Sequence, residues 1–424
     1  MSFALLLGLL AQDVGALLRD LESPVPETRS AAEAKLRRAD DRDYATIRAA
    51  AAHPDPEVRG RIQDILRRLK GPVLLWERAF AEGTLRFPEG RMVSTSRTLL
   101  VSGLTPALQP FDPETGTPGN PASPFDAAPY EVHATIRDDA VYAAAAYDQA
   151  PGRLAAVSLS TGRVLWSAPL NEGRSPLVVD GKRVYLLDGR LLCAHECADG
   201  RLAWSRLLPE GESLFWSFSA PVLEGGRLYA GNVDSGLHAF DAGDGRPLWT
   251  SLSDRDLGGK IGASFADPPS AGWGVVVSRS PADGRVAVVS AVDGAARWDA
   301  GNKHTMSALL SERGLYVVQG DAVALLDLRD GKALWTHALP KRNPEFSNGP
   351  RPELVGERDG VLYLHVGQHL RAVDISSNTI VWEREGYGFS HQTGGWRFSL
   401  LEGDRLGASG PDRLQVLRYN TRLK

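Results

Sequence analysis

From about residue 73 onward, hydrophobic and polar positions alternate in short runs broken by Gly- and Asp-containing turns, the pattern of half-buried β-strands. The clearest stretch is LHAFDAGDGRPLW, Leu237 to Trp249. Leu237, Ala239 and Asp241 alternate at period two, Asp244-Gly245 supplies a turn, and Trp249 follows that Gly by four residues. Asp-Gly predicts a two-residue type I′ hairpin, because such a turn needs positive φ and Gly adopts it without strain. The unit recurs as LAAVSLSTGRVLW to Trp166, LLCAHECADGRLAW to Trp204, VAVVSAVDGAARW to Trp298, VALLDLRDGKALW to Trp335 and LRAVDISSNTIVW to Trp382. Gly, or Asn378 in the last unit, precedes each Trp by four. Eight residues before the Trp stands Ser158, Glu196, Asp241, Ser290, Asp327 or Asp374. A degenerate copy, LQPFDPETGTPGN, keeps Asp112 and Gly116 but ends at Asn120. Copies lie roughly 37 to 49 residues apart, the period of four-stranded propeller blades.

The ends of this region complement each other. VLLWERAF, Val73 to Phe80, reads as an orphan strand, and SLLEGDRLGASGPDRLQVLRYN near the C-terminus reads as three strands lacking a Trp strand. Pairing Val73–Arg78 beside Leu414–Arg418 completes a last blade, closes the ring and removes exposed sheet edges. The expected fold is mainly β, an eight-bladed propeller of four-stranded antiparallel blades closed by an N-terminal strand. Trp76, Trp166, Trp204, Trp249, Trp298, Trp335 and Trp382 are then structural docking residues between blades, each costing ~3–5 kcal/mol on replacement by Ala. Trp273, off this register beside GVVVS, is assigned to blade packing.

Residues 13–70 follow a different pattern, rich in Ala, Leu and Arg without strand alternation. Helices are expected from Asp13 to about Glu22, over Glu27–Arg38, over Asp41–Ala52 and over Pro54–Lys70, as a small N-terminal helical arm. Before it, FALLLGLLA (Phe3 to Ala11) is too short to span a bilayer. Residues 1–12 are read as a possible signal peptide, with a buried first helical turn as the alternative. The expected domains are therefore a helical segment over 13–70 and a propeller over 71–424.

Net charge of −4 and a pI near 6.2 give no support for nucleic-acid binding. Cys193 and Cys197 fall on one strand-to-turn segment, where an extended chain separates their Cα atoms by ~13 Å, beyond disulfide reach. No GxSxG, HExxH, P-loop or EF-hand pattern is present.

The hairpin-plus-Trp unit resembles the pyrroloquinoline-quinone-type (quinoprotein-like) repeat from about Gly71 to Lys424. The strings SPVPETRSAAEAKL and HPDPEVRGRIQDIL look like two HEAT-type units. The quinoprotein family includes quinone-dependent dehydrogenases and non-catalytic scaffolds. The dehydrogenase resemblance implies a calcium ion and a stacked Trp. Here the oxygen ligands would come from Asp254, Asp256, Asn302, Glu345 or Asn348, and Trp216 or Trp396 would stack. The adjacent Cys pair frequent in those enzymes is absent. The scaffold resemblance is to the propeller subunit of the outer-membrane β-barrel assembly machine, which shares repeat type and blade number. That subunit is a lipoprotein, and this sequence lacks its lipid-bearing Cys and adds the helices.

In such a ring, each connection from an outer strand to the next inner strand crosses one face and lines the axial mouth. These connections gather His133, Phe215, Trp216, Phe218, Lys260, His304, Asn348, Arg351, His391, Trp396 and Arg397. Convergent aromatics and cations suit an anionic or planar ligand or a protein hot spot. They also suit an apolar plug with a solvated rim. The binding candidates are Trp216, Lys260, His304, Asn348, Arg351, His391, Trp396 and Arg397. Trp396→Ala and Arg351→Ala are expected to leave the fold nearly intact.

The function expected is a non-catalytic scaffold with a protein partner, without metal or cofactor, extracytoplasmic and monomeric. The alternatives are a quinone- or small-anion-binding enzyme or sensor using pyrroloquinoline quinone with calcium, and a cytoplasmic location.

Overall fold

The computed structural model of the 424-residue chain describes residues 14–36, 44–69, 73–79 and 92–418, less 96, 103–107, 122–123, 126–128, 130, 148, 209–219, 233–235, 252–268, 280–283, 300–304, 341–351, 386, 388–395, 403–404 and 411–412. It contains eight antiparallel sheets, seven of four strands and one of three, as the repeat predicts. Blades 1 to 7 follow in chain order over residues 92–111, 131–169, 178–207, 222–251, 270–299, 305–338 and 353–385. Blade 8 takes Arg397–Leu400, Arg405–Ser409 and Arg413–Arg418 from the C-terminus and Val73–Ala79 from the N-terminus.

That closure pairs the expected strands, with Val73 opposite Arg418 and Ala79 opposite Arg413. Buried Gln415 fastens it. Gln415 accepts the Tyr387 hydroxyl at 3.0 Å and donates to the Glu77 carboxylate. Blade 1 is the three-stranded sheet. Pro110, Pro113 and Pro118 remove ladder donors from its outer edge, and only an isolated bridge, Phe111 to Pro118, survives there.

Five of the seven docking Trps meet the turn of the next blade. Trp76, Trp166, Trp204, Trp249 and Trp298 lie over Gly116, Gly200, Gly245, Gly294 and Gly331, where a Cβ would come within 2.5, 2.4, 2.6, 2.6 and 2.8 Å of the indole. Their indole N–H groups donate to the carbonyls of Pro113, Cys197, Ala242, Ala291 and Leu328 at 2.8–3.3 Å. Each acceptor follows directly the acidic or small polar residue of the repeat. Asn120, where blade 1 lacks its Trp, leaves the Gly162 socket loosely filled.

The turn itself differs from the two-residue type I′ expectation. Gly245 N donates to Asp241 O at 2.8 Å and Asp241 N to Arg246 O at 2.9 Å, enclosing a four-residue loop. Within it only Gly245 has positive φ, whereas type I′ needs two such residues. The Asp241 carboxylate explains the choice. It accepts the Gly243 amide at 2.8 Å, stabilising a longer loop that leaves one left-handed residue at its end.

The N-terminal helices are α1 (Val14–Asp20), α2 (Pro26–Leu36), α3 (Tyr44–Ala49) and α4 (Pro56–Leu69). They enclose a core of their own around Leu17, Leu21, Leu36, Ile47, Ile62 and Ile65. The two units repeat one local design. Arg29 and Arg59 each donate to the carbonyl six residues earlier, Ser23 at 2.7 Å and His53 at 2.9 Å, ahead of the prolines that open α2 and α4. Arg61 to Glu33 at 2.9 Å ties one unit to the other. α4 lies against Thr379–Glu385, the outer strand of blade 7. The signal-peptide reading of residues 1–12 lies outside the described residues.

Candidate functional site

The antiparallel order of the blades puts the start of every inner strand and the end of every outer strand on one face, where the mouth was expected. Of its eight binding candidates, Trp216, Lys260, His304, Asn348, Arg351 and His391 lie outside the described residues, as do Phe215 and Phe218. So do Asp254, Asp256, Asn302 and Glu345, the remaining oxygen ligands of the calcium alternative. Among the described residues no cluster of three or more His, Cys, Asp or Glu could hold a metal ion.

Trp396 belongs to the core. It is 9% exposed, and its ring meets Tyr387 edge-on at 4.9 Å and 88°. Gly410 is so close beneath that a Cβ there would lie 2.9 Å from the indole. With Trp382, Phe398 and Leu406 it fills the joint between blades 7 and 8. The expectation that Trp396→Ala spares the fold is therefore corrected, because removing this indole opens a cavity in a packed cluster.

Arg397, the next residue, is exposed at the start of the blade 8 inner strand. Its guanidinium lies 4.0 Å from Glu353, which starts the blade 7 inner strand. Burial pushes the Glu353 carboxyl above its ordinary range, and Arg397 opposes that shift. Behind the pair, His365 donates from Nε2 to the Tyr387 carbonyl at 3.1 Å and packs on Phe398. Burial lowers its pKa, so it stands as a neutral donor. On the blade 2 inner strand His133, also buried, meets Glu131 at 2.8 Å. The described strands of the mouth thus carry the Arg397–Glu353 ion pair and the His133–Glu131 hydrogen bond, polar groups suited to orienting a polar surface.

The opposite face holds a residue that sequence reasoning misplaced. Trp273 is 56% exposed, not packed in a blade. It sits in the tight turn between the first two strands of blade 5 with φ +50, followed by Gly274 at φ +75. Equivalent turns use Gly225-Gly226 or Asp359-Gly360. A bulky residue in this region is a strained choice. Gly274 O accepts the Ala291 amide at 3.1 Å, which sets Trp273 beside the neighbouring turn, where Val292 is 67% exposed. The signal available in the sequence was WG in a type I′ position, a pair that buries nothing.

The docking set also has members that the repeat reading passed over. Tyr185 and Arg183 donate to the Ala242 carbonyl that receives Trp204, each at 3.2 Å. Tyr229 and Arg227 do the same at Ala291, at 3.3 and 2.5 Å. The spacing R-x-Y in RVYLLD and RLYAGN carries that signal.

Residues 73–255 and 233–423 match, in two overlapping copies, the family model described as outer membrane protein assembly factor BamB. The chain belongs to the BamB family. BamB of Xanthomonas campestris pv. campestris is 32% identical over 166 residues, 37% of this chain and 36% of that protein. BamB of Yersinia pestis is 30% identical over 117 residues, 27% of this chain and 28% of that protein. The chain thus aligns with about a quarter to a third of the length of these curated relatives. Among solved structures, BamB from Moraxella catarrhalis superposes with a TM-score of 0.57 at 14% identity, over 82% of this chain and 100% of that one. The computationally designed protein Ika8 gives 0.61 at 12% identity, over 82% and 99%. Both show the propeller fold. The BamB match begins at Val73, so the helices precede the part of the chain that it covers.

Proposed function

We propose that this BamB-family chain is a non-catalytic scaffold for outer membrane protein assembly, working outside the cytoplasm and holding a protein partner at its mouth with help from the helical arm. The observation that carries this reading is the BamB family match over the whole propeller. The described mouth supports it, because its inner strands carry the Arg397–Glu353 ion pair and the His133–Glu131 hydrogen bond, polar groups of the kind that orient a partner. The helical arm is seated on the outer strand of blade 7, the blade whose inner strand carries Glu353. The test is deletion of the gene in the native host. The steady-state level of outer-membrane barrel proteins falls and is restored by the intact chain; unchanged levels contradict the assembly role.

A second contact face is favoured by one observation, the exposed and strained Trp273 beside Val292. Aromatic anchors of this kind concentrate binding energy at protein interfaces. Its role is read by Trp273→Gly, which removes the ring in a backbone conformation that Gly prefers.

A further inference from the structure

Asn378 stands where the other described docking sockets carry Gly, and the joint it serves, blade 6 against blade 7, is built differently from the five joints with Gly beneath the indole. Asn378 has φ +54, so its backbone follows the common turn, but its Cβ occupies the space that Gly leaves to the ring. Trp335 is rotated in response, while still packing against the core of the joint. It meets Tyr316 at 83°, whereas the equivalent pairs Tyr142–Trp166, Tyr185–Trp204 and Tyr229–Trp249 meet at 45°, 42° and 40°. It stacks instead on His337, the planes 6° apart.

The turn of the ring leaves a buried donor without an acceptor. Trp335 Nε1 is buried and makes no hydrogen bond. In the five regular joints this atom donates to the carbonyl one residue beyond the polar position, which here is Ile375. The Tyr316 hydroxyl, also buried, does not bond the next turn as Tyr185 and Tyr229 do; it faces Glu357 on the blade 7 inner strand instead. Buried donors left unpaired lower the stability of the element that holds them. The rim receives exposed bonds in exchange: Asn378 Nδ2 donates to Thr336 O at 3.0 Å, and His337 Nδ1 donates to Asn378 Oδ1 at 2.8 Å. Exposed bonds of this kind exchange readily with water.

Nearer the axis the same joint is intact. Leu354 N donates to Ser307 Oγ at 3.1 Å between the inner strands, and Tyr316, Val318, Leu362 and Leu364 share one core. On its other side, blade 7 is bound to blade 8 through the Trp382–Trp396 cluster, and α4 leans on its outer strand.

We propose that the rim of the blade 6–blade 7 joint is a built-in hinge of the ring. It opens ahead of the five regular joints, pivots on the inner strands, and tilts the helical unit together with blade 7 relative to blade 6. A partner that touches both the helices and the mouth would then bias the hinge, because it binds one setting better than the other.

Hydrogen exchange on the full chain tests this against internal controls. Amides of Ala333–Ala338 and of residues 375–378 exchange about tenfold faster than those of Ala296–Asp299 and residues 328–331. Asn378→Gly, at a positive-φ site where Gly folds without strain, slows them to the level of the blade 5–blade 6 joint. Gly331→Asn transfers the fast exchange to that joint. Equal protection of the two joints in the natural sequence, or no change in exchange on Asn378→Gly, overturns the proposal.

Discussion

Replacing Gly245 by Ala separates two demands that the repeat makes of one residue. The first is conformational. Gly245 has φ +71, and an L-residue there costs ~1–2 kcal/mol. The second is spatial. The new Cβ would lie 2.6 Å from Trp204 Cε3 and 2.8 Å from its Cδ2, contacts that real Cβ atoms do not make. Trp204 is 9% exposed and cannot move without disturbing its bond to the Ala242 carbonyl at 3.2 Å. Overpacking of this kind costs ~1–3 kcal/mol, and the weakened hydrogen bond adds ~1 kcal/mol. Gly225→Ala is the matched control, with φ +57 and nothing within 4 Å of the added Cβ. Urea unfolding of both variants should therefore give losses of ~1–2 kcal/mol for Gly225→Ala and ~3–6 kcal/mol for Gly245→Ala. Equal losses would refute the socket argument and leave the Gly as a turn residue only.

Other consequences follow from the same geometry. Trp273→Gly should raise stability by ~1 kcal/mol, because it relieves a left-handed Trp and removes an exposed ring; a clear loss in urea unfolding would show that the ring packs. His238, buried on the middle of a blade 4 strand, has its pKa lowered by burial from 6.5 to about 4. The unfolded chain then binds the proton first, so this contribution is complete above pH 6.5 and is lost as pH falls towards 4. His238→Gln should flatten the urea midpoint over that window, and an unchanged slope would assign the pH dependence to other groups. Pyrroloquinoline quinone with Ca²⁺ should leave the melting temperature where Ca²⁺ alone leaves it. A ligand at a hundred times its dissociation constant adds ~2.7 kcal/mol, enough to see, and such a shift would favour the cofactor reading.

The fold was legible because its repeat writes each blade joint in three residues. The polar residue, the Gly and the Trp of Asp241, Gly245 and Trp249 keep one spacing, and each later appears at a defined place in a joint. Ring closure could be read because Val73–Ala79 lacked a hairpin partner and Arg413–Arg418 lacked an outer strand. The turn type was misread because Asp244-Gly245 was weighed alone, without the Asp241 carboxylate four residues earlier. Trp396 and Trp273 exchanged roles for a related reason. Both fall off the repeat register, and register says nothing about which face of a turn or connection a side chain takes. Trp396 is drawn inward by Tyr387 and Phe398, while Trp273 stands exposed at a turn tip.

The most direct test of the scaffold claim is site-specific photo-crosslinking in the native host, with the cross-linking residue in place of Arg397 at the mouth, Trp273 on the opposite face, and Arg329 on an exposed turn as control. The account predicts a discrete adduct with an outer-membrane-assembly protein from position 397, and none from 329. No adduct from 397 or 273, or equal and diffuse labelling from all three positions, would contradict a partner-binding mouth.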